Sequence, residues 1–414
     1  MNILIMGMNY APEKTGIAPL TTELSEYLVS RGHRVHMITT FPHSPDFKIQ
    51  EPYKGKVFLK ERRQGVWVLR GYVYIPRERR RPMQRILYDT SLSISTFLWG
   101  LCVRDVDVVL AVSPPVQVGP SAWALSLLKR ATFVVQVQDL AVDLAVSLGM
   151  LKNPSLIRLG KWLENFVYRR ARKVLVICQG FMDNLAARGV PEPKIRVLPN
   201  WIDTEFIRPL DRHNSFRQSQ SLAARQFVIL HAGTMGAKQA LENAIRAAKL
   251  LEGQGDFLFL LVGDGSEKAR LANAIAREGL SNVRLLPLQP ADVLPQMLSA
   301  ADVLLINQHA DVVDMVIPSK LLTYMSSGRP VIAAAHAESE AAKYIRMAEC
   351  GLIVPPDEPG QLAEAIRRVY SNPDLAARFG RNARTFADEH FGRERVLHLY
   401  DEFFRSLQPA PSRT

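Results

Sequence analysis

Two stretches of the chain carry the same device: an apolar strand, a glycine-marked turn, then a helical pattern. The first runs Asn2-Ile-Leu-Ile-Met-Gly7, turns through Gly16 and continues as a helix over residues 19–30. The second runs Phe227-Val-Ile-Leu-His-Ala-Gly233, turns through Thr234-Met-Gly-Ala-Lys238 and continues as a helix over 240–251. In an open α/β sheet the ligand sits at the carboxyl ends of the strands, beside helix N-termini whose free N–H groups and dipole favour phosphate. One such edge makes one nucleotide-type domain. Two in one chain predict two domains facing a central cleft.

The length of 414 residues agrees, because it exceeds what one hydrophobic core usually supports. After the first device the pattern predicts strands over 34–40, 106–113, 132–138, 173–178 and 195–198, with helices over 84–101, 122–129, 154–172 and 180–188. Residues 41–82 are rich in proline and charge, and three short alternating stretches there (57–60, 66–70, 73–75) read as strands or hairpins. A polar stretch over 209–225 reads as a linker. Beyond it, strands are expected over 257–262, 283–286, 303–306 and 331–334, and the chain closes with helices over 359–370, 373–390 and 393–407. Alternation of this kind means parallel sheets covered on both faces. The fold class is therefore α/β, with two Rossmann-like doubly wound domains over 1–208 and 209–392.

Composition narrows the function class without naming it. Hydrophobic residues at 47% and charged residues at 22% exclude a disordered or fibrous chain. Cys102, Cys178 and Cys350 are odd in number and lack metal-ligand spacing, which argues against a disulfide framework or zinc site. No secretory leader and no clean apolar span is evident, so a cytoplasmic protein is expected. The net charge of +12 is partly clustered, at Lys54, Lys56, Lys60, Arg62, Arg63, Arg70, Arg77, Arg79, Arg80, Arg81 and Arg85. Such a cluster suits nucleic acid, anionic lipid or a phosphorylated substrate, or is simply a solvated face. Because Arg77 to Arg85 lead straight into an apolar helical segment, and no nucleic-acid motif accompanies them, peripheral contact with an anionic membrane surface is the favoured reading and nucleic acid is not.

Individual motifs each allow a plain alternative. The turn from Gly7 to Gly16 lacks dinucleotide spacing, and no P-loop pattern occurs, so Gly16 marks either a phosphate turn or only a tight one. Asp105 and Asp107 have D-x-D spacing but open an apolar strand at its amino edge, away from the ligand side, so no metal is expected. Asp139 lies where a strand ends, with Asp143 four residues on; a carboxylate there orients a hydroxyl or acts as a base, or else caps a helix. Lys238 follows the second turn, where an ammonium stabilises a leaving diphosphate, or is a solvated lysine. Ser319 starts a short helix that Gly328 ends, a phosphate cradle or an ordinary capped helix.

With these residues in view, the chain resembles the retaining glycosyltransferase family four, of GT-B fold, most nearly its branch of colanic-acid and O-antigen fucosamine transferases. The resemblance rests on Asn9-Tyr-Ala-Pro-Glu-Lys-Thr-Gly16, Val137-Gln-Asp-Leu-Ala-Val-Asp143 with Leu148-Gly-Met-Leu151, Leu198-Pro-Asn-Trp-Ile-Asp203, Ala232-Gly-Thr-Met-Gly-Ala-Lys-Gln239, Val262-Gly-Asp-Gly265, Pro318-Ser-Lys320 with Tyr324-Met-Ser-Ser-Gly-Arg-Pro330, and Cys350-Gly-Leu-Ile-Val-Pro-Pro356. It implies a UDP- or GDP-sugar donor held by the second domain, and a saccharide or polyprenyl-linked acceptor held by the first, in surface polysaccharide synthesis. By the resemblance Asp139 and Lys238 are catalytic. Gly16, Gly233, Met235, Gly263, Asp264, Ser319, Lys320, Leu321 and Thr323 bind the donor, and Thr15 and Asp143 lie on the acceptor side. No cofactor or metal is implied, and the final helix, 393–414, crosses back onto the first domain.

The pattern also departs from the family. Two glutamates often stand eight positions apart around the Ser319 helix, the second gripping the donor ribose; Met315 and Thr323 occupy those positions here. The arginine often found ahead of the family lysine is missing near Lys238, and Gln138 replaces a common histidine. Asp311 or Asp314 is a candidate substitute for the lost acids. A nucleotide-sugar epimerase or hydrolase of the same fold, and a non-catalytic scaffold, are the alternative functions.

Overall fold

The computed structural model describes residues 1–14, 16–43, 47–76, 82–147, 151–311 and 319–407. The chain divides into two compact units, Met1–Asn200 joined by the residues from Leu397 onward, and Trp201–Val396.

The first unit is built on an eight-stranded sheet of β1 (Asn2–Met6), β2 (Arg34–Thr40), β3 (Phe58–Arg63), β4 (Val66–Gly71), β5 (Val108–Ser113), β6 (Thr132–Val137), β7 (Lys173–Val176) and β8 (Ile195–Val197). Its helices are α1 (Ala18–Ser30), α2 (Pro82–Cys102), α3 (Val118–Lys129), α4 (Ala141–Ser147), α5 (Pro154–Arg170) and α6 (Gln179–Ala187). The strand order is β3-β4-β2-β1-β5-β6-β7-β8, and every pair is parallel except β3 with β4. Ile3 to Met6 of β1 are buried without break, as expected for a strand covered on both faces. At the edge, β3 instead alternates exposed with half-buried residues. Residues 73–75, expected as a third short strand, form none: after Gly71 the chain leaves the sheet, and Tyr74 donates its N–H to Ser91 Oγ of α2 at 2.9 Å.

The second unit holds β9 (Phe227–Ala232), β10 (Phe257–Val262), β11 (Val283–Leu286), β12 (Val303–Asn307), β13 (Val331–Ala334) and β14 (Gly351–Val354). All are parallel, in the order β11-β10-β9-β12-β13-β14. Around them lie α7 (Ser215–Ser219), α8 (Glu242–Leu251), α9 (Lys268–Glu278), α10 (Leu294–Ser299), α11 (Ser319–Ser326), α12 (Glu340–Ala348), α13 (Pro359–Tyr370), α14 (Pro373–Phe391) and α15 (Arg393–Ser406). The core forms where Phe259 and Leu261 of β10, Leu305 of β12 and Ile332 of β13 meet Leu251, Leu362 and Ile366 from α8 and α13. Strand β14 has no counterpart among the expected strands, since four residues opened by a glycine show too little alternation to register.

The expected linker over 209–225 is part of this unit. Asp302, next to β12, receives Arg212 Nε at 2.6 Å, Arg217 Nη2 at 3.0 Å and the Val228 N–H at 2.8 Å. Asn214 caps α7 by accepting from the N–H groups of Phe216 and Arg217. Arg212 and Arg217 thus serve an ion cluster within the unit, while other polar residues of the stretch, Asp211, His213, Ser215 and Arg225 among them, face solvent.

From Leu397 onward α15 packs with the first unit. Buried Asp401 accepts from His33 Nε2 at 2.7 Å and from Arg31 and Arg405. Burial pushes its carboxyl up, but these hydrogen bonds outweigh it and hold the group below its ordinary value. The Tyr400 hydroxyl meets Gln136 of β6 at 2.7 Å.

Asp302 carries the sharpest stability expectation. Asp302→Ala leaves the nearly inaccessible Arg217 guanidinium without its counter-charge and should cost about 3–5 kcal/mol in urea unfolding of the full chain.

Candidate active site

The order of the second sheet is that of a dinucleotide-type fold, with the direction of winding reversing between β9 and β12; ligands bind in the crevice beyond the carboxyl ends of such a pair. Three loops converge there. After β9, Gly233 and the 3₁₀ turn Ala237–Gln239 carry Lys238. After β12, Asn307 Nδ2 donates to the carbonyls of Gln239 and Ala240 at 2.8 and 2.9 Å, and the His309 N–H donates to the Lys238 carbonyl at 2.8 Å. The lysine is half-buried, and its turn is fixed by the neighbouring strand. Among the described residues no carboxylate forms an ion pair with it.

Helix α11 brings the second cation. Ser319 is its first residue and is exposed. Tyr324, buried one turn on, accepts the N–H of Ala232 at 2.9 Å and so ties the helix to the end of β9. Lys320 reaches beneath Gly233, where its Nζ donates to Nε2 of His231 at 3.1 Å. The Leu305 carbonyl lies 3.3 Å from Nδ1 and the Thr234 carbonyl 3.4 Å from Nε2; because the Lys320 ammonium can only donate, Nε2 accepts from it and the ring proton is assigned to Nδ1. Burial, then the Lys320 charge, pushes the imidazole down to about 3, so it is neutral at any working pH. Burial pushes the ammonium down to about 8. No carboxylate among the described residues pairs with it. A half-buried cation whose described polar partner is neutral keeps its charge available to an incoming anion.

Glycines make this geometry possible. A Cβ on Gly233 would lie 2.6 Å from Lys320 Cε, and one on Gly263, whose φ is +151°, would lie 1.8 Å from the Gly233 carbonyl oxygen. The ends of β9 and β10 thus touch backbone to backbone. Met235 is buried with both main-chain groups engaged, its N–H to Asp264 and its carbonyl to Glu267. Leu321 is fully buried, so it faces the crevice at most through its N–H. Asp264 is exposed and accepts the Gly265 N–H at 2.8 Å, and Thr323 Oγ1 donates to the Ser319 carbonyl at 3.2 Å. Asp311 pairs with His309 at 3.5 Å, while Asp314 and Met315 lie outside the described residues.

In the first unit the winding reverses between β1 and β5. The loop after β1 is held from below. Glu13 accepts from Asn9 Nδ2 at 2.7 Å and from the His43 N–H at 2.9 Å, and the His43 ring meets the Tyr88 hydroxyl at 2.8 Å; all four residues are buried. Arg70, counted above in the basic cluster, is an interior group. Fully buried, it donates to Glu61 at 2.7 Å, to the Thr40 carbonyl at 3.0 Å and to the Ala11 carbonyl. Gly16 lies exposed beyond this frame, just before α1, with φ of +61°; Thr15 is outside the described residues. Asp139 is half-buried just past β6. Asp143 sits on α4, its carboxylate bound by Arg188 and by Lys161 at 3.3 Å, so its charge is met inside the unit. Asp107 accepts the Asn2 N–H at 2.7 Å at the amino edge of the sheet, as its position before β5 implied. No group of three metal-ligating side chains occurs among the described residues.

His231, Asn307, Tyr324, Glu13 and Arg70 are absent from the sequence-based candidates. Glu13, inside the Asn9–Gly16 motif, and Tyr324, which opens the motif ending at Pro330, had a signal that could have exposed them.

Comparison with known proteins agrees with this geometry. Residues 213–386 match the model of glycosyl transferases group 1, and residues 15–201 that of a glycosyl transferase 4-like domain. The chain is 30% identical, over 97% of its own length and 98% of the relative's, to a putative colanic acid biosynthesis glycosyl transferase, WcaI, of Escherichia coli (strain K12). Among solved structures, HepE of Anabaena in complex with UDP superposes with a TM-score of 0.73 at 18% identity, covering 98% of this chain and 100% of that one. Sucrose-phosphate synthase from Thermosynechococcus elongatus gives the same score and identity, covering 98% of both chains. These last two show the fold, GT-B. Taken with the full-length match, they place the chain in the group 1, family 4-like glycosyltransferases.

Proposed function

We propose that the protein transfers a sugar from a UDP- or GDP-sugar to a lipid-linked saccharide in surface polysaccharide synthesis, with retention and without a metal or other cofactor. The observation that carries this reading is the half-buried Lys320 ammonium, lacking a carboxylate partner among the described residues, in the first turn of α11 beside the winding reversal of the second sheet. A diphosphate supplies the missing charge. In this reading the second unit is the donor side: Lys320, Lys238 and the free N–H groups of α11 take up charge on the diphosphate as its bond to the sugar breaks. The first unit is the acceptor side: the acceptor hydroxyl, oriented by Asp139, attacks the sugar carbon on the face from which the diphosphate departs, and its proton passes to the departing phosphate oxygen. The relatives support the class, since HepE was solved with UDP and WcaI is named for colanic acid biosynthesis.

The protein works, on this reading, at the cytoplasmic face of the membrane. No helix among the described residues is long and apolar enough to cross a membrane. Instead α2 exposes Met83, Ile86, Leu87, Ile94, Leu98 and Leu101 along one stripe, with Arg85 near its start. An apolar stripe with basic residues at its head suits an anionic bilayer surface. Arg77 to Arg81, the rest of that head, lie outside the described residues.

A panel of nucleotide sugars tested for thermal stabilisation identifies the donor, because a ligand of the native state raises its apparent stability by mass action. Turnover of the donor with no acceptor present would indicate an epimerase or hydrolase, and no binding at all a scaffold. Lys238→Ala should lower kcat roughly a hundredfold while the fold is kept. The Lys320 ammonium is charged below about pH 8 and neutral above it, so donor affinity measured by calorimetry should fall as pH rises through that value. Lys320→Met should bind weakly at every pH and lack the alkaline decline.

A further inference from the structure

On the first sheet, neighbouring registers bring His36 of β2 beside Trp67 of β4, and Trp67 beside Arg62 of β3. Alternation along each strand then sets Arg34 with His36, and Lys60 with Arg62, on that one face. The contacts agree: Lys60 Nζ lies 4.5 Å and Arg62 Cζ 5.3 Å from the Trp67 ring. The last turn of α2 and Arg104 beyond it close the other side, leaving a hollow of about 600 Å³.

The charge of this hollow is one-sided. Arg34, Lys60, Arg62 and Arg104 line it against a single carboxylate, Asp105. None of the four cations is in an ion pair among the described residues, whereas Arg31, Arg70, Arg85 and Arg188 of the same unit all are. His36 is held below its ordinary value by burial and then by Lys60 and Arg34, so it faces the hollow as a neutral ring. Four like charges around one cavity repel each other until a multiply charged anion enters. Apolar side chains lie nearby: exposed Phe58 stands edge-on to Trp99, a lining residue, at 5.2 Å, and Leu98 and Leu101 are exposed on the last turn of α2. Phosphate next to hydrocarbon is the chemistry of a lipid headgroup, and aromatic rings at such a boundary are its usual companions.

We propose that this hollow is a phosphate site for an anionic phospholipid headgroup, seated at the C-terminal end of the α2 stripe. The site lies at the amino edge of the sheet, where β2 begins with Arg34, and is therefore separate from the loop carrying Glu13 and Gly16. It rests on the reading that the protein works at a membrane surface. A 21-residue helix spans about 30 Å, so α2 links the headgroup site to the opposite edge of the sheet.

The test is co-sedimentation of the full chain with vesicles of phosphatidylglycerol and phosphatidylcholine, with tryptophan emission recorded alongside. The expected result is binding that shifts the emission, a shift reduced in Trp67→Phe and lost when Trp99→Phe is added, since these two rings line the hollow. Lys60→Glu with Arg62→Glu should weaken binding at least about tenfold, well beyond Arg172→Glu with Arg196→Glu, which makes the same charge change at exposed positions beside β7 and on β8. Equal weakening by the two pairs would overturn the headgroup site and leave the membrane reading intact. Failure of the unaltered chain to sediment would overturn both. An equal shift with inorganic phosphate or glycerol 3-phosphate in solution, at the same phosphate concentration, would assign the hollow to a soluble ligand and overturn the lipid assignment.

Discussion

The second unit is organised around a cation that the protein itself leaves unneutralised. Lys320 is drawn beneath the end of β9 and hydrogen-bonded to a histidine that burial keeps neutral. Everything near it accommodates that placement. Gly233 has no side chain to collide with the lysine, Gly263 lets β10 end against Gly233, and Tyr324 fastens the helix so that the lysine cannot retreat. A carboxylate in the place of His231 would stabilise the apo protein and remove the reason for an anion to bind. The neutral ring supplies a hydrogen bond without supplying charge.

The first unit treats its corresponding loop differently. There Glu13 bridges Asn9 and the backbone of His43, and the Arg70 guanidinium joins the end of β2 to Ala11, although the buried Tyr10 hydroxyl of the same loop has no hydrogen-bond partner among the described residues. Buried polar networks of this kind hold geometry firmly when each member is paired. One unit thus offers an unsatisfied charge and the other a rigid frame.

Much of the architecture is legible in the residues alone. The apolar runs of β10, β11 and β13 are bounded by charged or turn-forming residues, and their observed ends coincide with the expected ones. The polar stretch over 209–225 misleads because composition cannot distinguish a solvated arginine from one gripping Asp302. Arg70 misleads for the same reason, counted with surface cations although it is fully buried. At the site, Lys238 and Ser319 stand out as residues that follow strands or open a helix. His231 does not, because a histidine inside an apolar strand reads as core, and Asn307 reads as an ordinary strand end. Tertiary pairing decides the meaning of such residues, and local spacing carries no trace of it.

The return of α15 orders events in time as well as in space. His33 and Gln136 have their partners on Asp401 and Tyr400, residues synthesised after the whole of the second unit. While the chain is still emerging, His33 and Gln136 lack the helix that pairs with them, so their polar groups must stay hydrated, because burying them without a partner is expensive. The second unit is in effect an insertion within the first. Its release from the ribosome precedes the completion of its predecessor, so the part of the protein made first is the part finished last.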